Sequence, residues 1–85
     1  MLGVNETISA LITLAALTPG ASARVCQVGG TASVRQRLLE MGLTPGTRVR
    51  LLRTAPLGDP LELDVRGYRL SVRKSEAAQV RIEAP

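Results

Sequence analysis

Few side chains in this chain are reactive, and their spacing limits what chemistry it can do. Cys26 is the only thiol, and there is no histidine. The commonest general base, proton shuttle and metal ligand is therefore missing. No Gly-x-Ser-x-Gly, no Walker-type phosphate loop and no Cys-x-x-Cys occurs, and Gly29-Gly30 is too short to cradle a phosphate. Catalysis is not expected. Asp59, Glu62 and Asp64 lie close together in sequence. With Cys26 they offer a divalent transition metal at most a weak or transient surface hold. Glu62 and Asp64 read equally well as outward strand residues, and Cys26 as a small buried hydrophobe. No closed coordination set and no intrinsic cofactor are expected.

The remaining chemistry is cationic. Ten arginines and Lys74 face seven carboxylates, a net charge of +4, and every basic residue lies at or after Arg24. Such a balance admits nucleic acid, an anionic membrane or an acidic protein as partner. Most of the arginines alternate with apolar residues, as solvent-facing strand positions do. Tyr68 is the only aromatic residue, so bases would find no stacking platform. Arg48, Arg50, Arg53, Arg66 and Arg69 could touch phosphates without specificity, but no specific nucleic-acid site is expected.

Eighty-five residues make one domain with one small core. With no Phe or Trp, that core falls to branched aliphatics, which suits a small barrel. Ile8, Leu11, Ile12 and Ala15 follow helical spacing and predict a short leader helix over 6–16, within a leader spanning 1–17. Ala21–Val28 reads as the first strand. Val25 and Val28 fall out of period-two phase there, which predicts a bulge. Thr31 or Ser33 caps a helix that runs to Met41, with Val34, Leu38 and Met41 on one face. Gly42 ends the helix, Leu43 folds back as its apolar clasp, and Pro45-Gly46 suits a type II turn.

Thr47–Thr54 is the second strand, and its phase slips at Leu52. Leu61–Arg66 alternates cleanly. Gly67-Tyr68 is read as the hairpin turn, Arg69–Arg73 as the fourth strand, Lys74–Ala78 as one helical turn and Gln79–Glu83 as the last strand. Five short bent strands with one helix after the first predict a mainly β, SH3-like barrel over 18–85. With one cysteine, no basic run ahead of the apolar start and an apolar stretch about half the ~20 residues of a membrane span, a cytoplasmic home is expected. Interaction surfaces remain as the function. The candidates are the outer edge of the helix (Leu39, Met41, Leu43), the Pro-bounded tip at Leu57, and Arg48, Arg50 and Arg66 for electrostatic matching.

Taken together, Leu17-Thr18-Pro19-Gly20, the run Arg37–Gly46 (RLLEMGLTPG), Pro56-Leu57-Gly58-Asp59-Pro60-Leu61, Val65-Arg66-Gly67 and Ser75-Glu76-Ala77-Ala78 resemble the ferrous iron transport protein A family (FeoA) in order and spacing. The resemblance spans about 16–83. It implies an SH3-like barrel and a cytosolic accessory role in bacterial ferrous iron uptake. The partner it implies is the membrane permease that carries a cytosolic GTPase domain, so any link to the membrane is indirect. Two rival readings are an SH3-like module that responds to ferrous iron directly and an SH3-like nucleic-acid module. Self-association through the helix face or barrel edges is a further expectation.

Overall fold

The structure, a computed structural model, describes residues 11–83. It contains six strands: β1 (Leu11–Thr13), β2 (Ser22–Val28), β3 (Arg48–Thr54), β4 (Leu61–Val65), β5 (Tyr68–Val72) and β6 (Val80–Glu83). Two helices interrupt them, α1 (Ala32–Glu40) and the single turn α2 (Lys74–Ala77), and a 3-10 turn covers Leu14–Ala16. The strands form one sheet in the order β1-β6-β2-β3-β4-β5, with antiparallel neighbours throughout.

The sheet curls because β2 changes partner along its length. Ser22–Arg24 pair with β3, and Val25–Val28 pair with β6. The register shifts between Val25 and Gln27, so Cys26 is the bulged residue. The extra residue puts both Val25 and Val28 on the buried face, as their broken phase predicts. A second shift between Leu51 and Arg53 marks the slip expected at Leu52. Both bulges bend long strands around a core that includes Leu14, Leu38, Leu43, Leu51, Leu63 and Ile82, each fully buried.

α1 begins at Thr31, whose hydroxyl accepts from the Val34 amide at 3.3 Å. It ends in a Schellman pair: Leu43 N donates to Leu38 O at 3.2 Å, and Gly42 N to Leu39 O at 3.0 Å. Gly42 holds φ at +101°, which explains why glycine stands there. Leu38 and Leu43, the apolar pair of this motif, are both 0% exposed.

The fold also uses one turn twice. Thr18-Pro19-Gly20 and Thr44-Pro45-Gly46 each close on the residue after the glycine, with Ala21 N on Thr18 O and Thr47 N on Thr44 O at 3.0 Å. Each glycine then donates across to the other strand, Gly20 N to Leu51 O and Gly46 N to Val25 O, both at 2.7 Å. The two Thr-Pro-Gly turns thus lock β2 and β3 together from opposite ends.

Two expectations need correction. Leu11–Thr13 is a strand rather than part of a helix; Ile12 pairs with Ile82 and covers β6, which would otherwise be a sheet edge. Of the rest of the expected leader helix, Leu14–Ala16 forms the 3-10 turn, and residues 6–10 lie outside the described residues. The sheet therefore has six strands where five were expected. The hairpin turn lies one residue earlier than read: Val65 and Tyr68 pair, and Arg66-Gly67 form the two-residue loop with φ of +55° and +87°. Two left-handed residues in succession match the twist of the flanking strands. Tyr68 opens β5.

Candidate interaction surface

The β3–β4 hairpin carries most of the residues singled out above, and it separates them. At one end the loop Ala55–Pro60 is tied by Gly58 N to Ala55 O at 2.7 Å and Ala55 N to Pro60 O at 3.0 Å. These bonds close a turn with Leu57 at its tip, 96% exposed. The leucine is held out on an ordered backbone, which lowers the entropy lost when it is buried by a partner. At the other end, β4 finishes beside α1: a side chain placed on Gly42 would approach Val65 Cγ1 at 3.7 Å. The five residues of β4 put these two ends about 14 Å apart.

The helix candidates therefore do not join Leu57 in one patch. Leu43 is fully buried and supplies core, not contact area. Its role as the Schellman clasp uses it up. Leu39 and Met41 are half-buried against the core, with only part of each side chain at the surface. Among the described large hydrophobic residues, Leu57 and Tyr68 stand exposed.

Arg48, Arg50 and Arg66 do come together. They line a shallow groove of about 460 Å³ with Gly46, Thr47, Gly67 and one carboxylate, Asp64. Thr47 is 2% exposed; its hydroxyl lies 2.8 Å from that of Thr44 and accepts from Arg66 Nη2 at 3.2 Å. Arg66 is thereby held over the groove. Sequence reasoning passed over Arg24, which faces Arg48 directly across the β2–β3 ladder. Counting strand positions across that ladder would have found it, once the pairing of β2 with β3 was known.

Two further arginines were also passed over, and they hold the fold together. Arg35 Nε donates to Val28 O at 3.2 Å, and Arg37 Nη2 pairs with Glu76 Oε2. Glu76 is nearly buried, and its other oxygen accepts from the Arg73 amide at 3.1 Å. It is the N3 residue of α2 reaching back to the start of its own helix, half of a capping box. The N-cap is Arg73, which carries none of the usual Ser, Thr, Asp or Asn signal.

The candidate metal ligands are spread out and occupied. Asp59 Oδ1 accepts from the Lys74 amide at 2.9 Å, Glu62 pairs with Arg53 at 3.2 Å, and Asp64 Oδ1 accepts from the Gly67 amide at 2.9 Å. Cys26 sits on β2, separated from β4 by β3. Among the described residues no three His, Cys, Asp or Glu side chains gather to hold a metal ion. As placed in the structure, Cys26, Asp59, Glu62 and Asp64 do not form a joint donor set for a metal ion.

Burial holds the Cys26 thiol above its ordinary pKa; the Glu83 carboxylate raises it further and Arg24 opposes them. A thiolate is thus disfavoured at neutral pH. Alkylation of Cys26 by iodoacetamide is expected to be slow at neutral pH and to rise at a higher pH than for an unperturbed thiol. Glu83→Gln should shift that rise to lower pH, because it removes a negative charge, and Arg24→Gln to higher pH. A pH–rate profile that both variants leave in place would contradict this electrostatic account.

Curled antiparallel strands, a single helix after β2 and a surface of ordered tip and arginine groove define a small SH3-like barrel domain. The FeoA domain family matches residues 12–84. The chain belongs to the FeoA family. A fusion of Fe(2+) transport protein A with the Fe(2+) transporter FeoB, from Porphyromonas gingivalis (strain ATCC BAA-308 / W83), is 34% identical over 70 residues, 82% of this chain and 8% of the fusion. This chain thus corresponds to a small part of that relative. A FeoA-like protein from Clostridium acetobutylicum superimposes with a TM-score of 0.82 at 35% identity, covering 88% of this chain and 87% of that one. FeoA of Stenotrophomonas maltophilia, described as a prokaryotic SH3 domain protein and solved with zinc, gives 0.71 at 32% identity over 85% and 89% of the two chains.

Among the described residues no helix is long and apolar enough to cross a membrane.

Proposed function

We propose that this chain is a cytoplasmic accessory module of ferrous iron uptake that docks on the cytosolic GTPase part of an iron permease and modulates it. The observation that carries this reading is the fusion relative, in which a segment 34% identical to this chain shares one polypeptide with the transporter FeoB. Tethering two domains raises their effective concentration, and that benefits domains that touch. Where the two are separate chains, the contact must supply its own affinity.

Leu57 is the anchor of this contact. An exposed leucine on a closed turn can fill a small apolar pocket, and full burial of such a side chain contributes about 2 kcal/mol. The arginine groove at the other end of the hairpin adds charge matching. An interface of ordinary size, about 800 Å² per partner, spans both ends. Direct iron sensing is disfavoured by the scattered, already engaged carboxylates described above.

The test is binding to the isolated GTPase domain of the permease, measured by calorimetry. Leu57→Asp is expected to weaken it about tenfold or more and to leave the circular dichroism melt unchanged. Equal affinity for the variant would remove Leu57 as anchor. Absence of binding by the unaltered chain would remove the docking reading.

A further inference from the structure

We infer that Arg24, Arg48 and Arg66 form a row that binds a carboxylate-rich segment of another protein. Arg24 and Arg48 are direct cross-strand partners, and Arg66, the first loop residue after Val65, the partner of Val49, lines the same groove as Arg48 at the end of β4. All three are exposed. With neighbouring strands about 4.8 Å apart, the row places three guanidinium-bearing positions within about 10 Å.

The row lacks its counter-charge. Like charges opposite one another in a ladder oppose folding, yet among the described residues no carboxylate forms an ion pair with them; Asp64, which also lines the groove, gives its Oδ1 to the Gly67 amide. Among the described residues the ion pairs are Arg37–Glu76 and Arg53–Glu62, neither of which touches the row. The adjacent row differs: Ser22, Arg50, Asp64 and Arg69 succeed one another across the same strands, with a carboxylate between its two arginines. Arg66 is also set in place. It takes a left-handed backbone, unusual for a side chain of its size, and its guanidinium rests on the buried Thr47 hydroxyl. A donor fixed before the ligand arrives loses less entropy on binding.

The surroundings select the anion. Guanidinium forks match carboxylate and phosphate alike. Bases would need an aromatic platform, and Tyr68 sits in register with inward Val65 rather than on the arginine face. Asp64 beside the row repels a continuous phosphate backbone or a charged membrane plane. An acidic peptide carries its carboxylates on separate flexible side chains and can turn one of them away from Asp64. The inference extends the docking reading and rests on it only for where such a segment is sought.

The probe is fluorescein-labelled octaglutamate, titrated with the full chain and followed by anisotropy in low and in physiological salt. Binding that weakens with salt and falls about tenfold in Arg24→Gln/Arg48→Gln/Arg66→Gln is expected, with Arg53→Gln as an off-row control that leaves it intact. Arg48→Gln alone should raise the melting temperature in low salt by about 2 °C, a signature that separates an unpaired row from arginines used inside the fold. Equal octaglutamate affinity in the triple variant overturns the row. So does tighter binding of octathymidylate or of phosphatidylglycerol vesicles than of octaglutamate, or a fall in melting temperature for Arg48→Gln. Octaglutamate binding alongside a failed assay with the GTPase domain would support the row and remove only the docking reading.

Discussion

Leu43→Ala is expected to lower the unfolding free energy by about 3 kcal/mol. Leu43 is fully buried and closes the Schellman motif with Leu38. Truncation removes its burial and leaves a cavity where α1 meets the sheet. A domain of this size has about 5–10 kcal/mol in total, so the loss is a large fraction and corresponds to about 15 °C in melting temperature. Urea denaturation followed by circular dichroism measures it directly. Leu57→Ala serves as the contrast: its side chain is 96% exposed, and its stability should change by less than about 0.5 kcal/mol. Similar losses for the two leucines would contradict the division between core and contact surface.

The second large effect is expected at Glu76. Its carboxylate joins Arg37 of α1 and caps α2 through the Arg73 amide. Glu76→Ala leaves that amide without its acceptor and Arg37 without its partner, at a cost of about 2 kcal/mol. Glu76→Gln keeps an acceptor for the amide and should cost about half as much. Arg37→Ala should cost less than Glu76→Ala, because the Arg37 side chain is 59% exposed and water takes over its solvation. A double-mutant cycle should give a coupling of about 1 kcal/mol that shrinks in high salt. Zero coupling would show that the pair contributes nothing and that Glu76 acts only as a cap.

Much of the fold is legible along the chain because its signals are local. The out-of-phase valines of β2 and the slip at Leu52 in β3 announce the two bulges. Gly42 and the Thr-Pro-Gly turn each demand a left-handed glycine, and the structure supplies φ of +101° at Gly42 and +92° at Gly46. The leader was misread because Leu11 and Ile12 suit helical and strand spacing alike over so short a run. The tie-breaker was the exposed edge of β6, seventy residues away. The hairpin was misplaced by one residue because nothing about Arg66 marks it as left-handed.

The candidate surface was less legible. Leu43 was read both as the helix clasp and as a contact residue, and its sequence context gave no measure of how completely the clasp would bury it. Burial of Leu43 and exposure of Leu57 follow from which elements lie over each.

By itself the sequence determined the aliphatic barrel, the helix with its stop and turn, the two strand bends and the family. Each depends on residues within a few positions of one another, where backbone sterics and side-chain periodicity act. Only the tertiary structure decided that Arg24 joins Arg48 and Arg66 while Asp64 stands between Arg50 and Arg69, and that Leu57 lies at the far end of the hairpin from α1. Those facts depend on strand register, and register couples residues whose separation along the chain carries no signal of their contact.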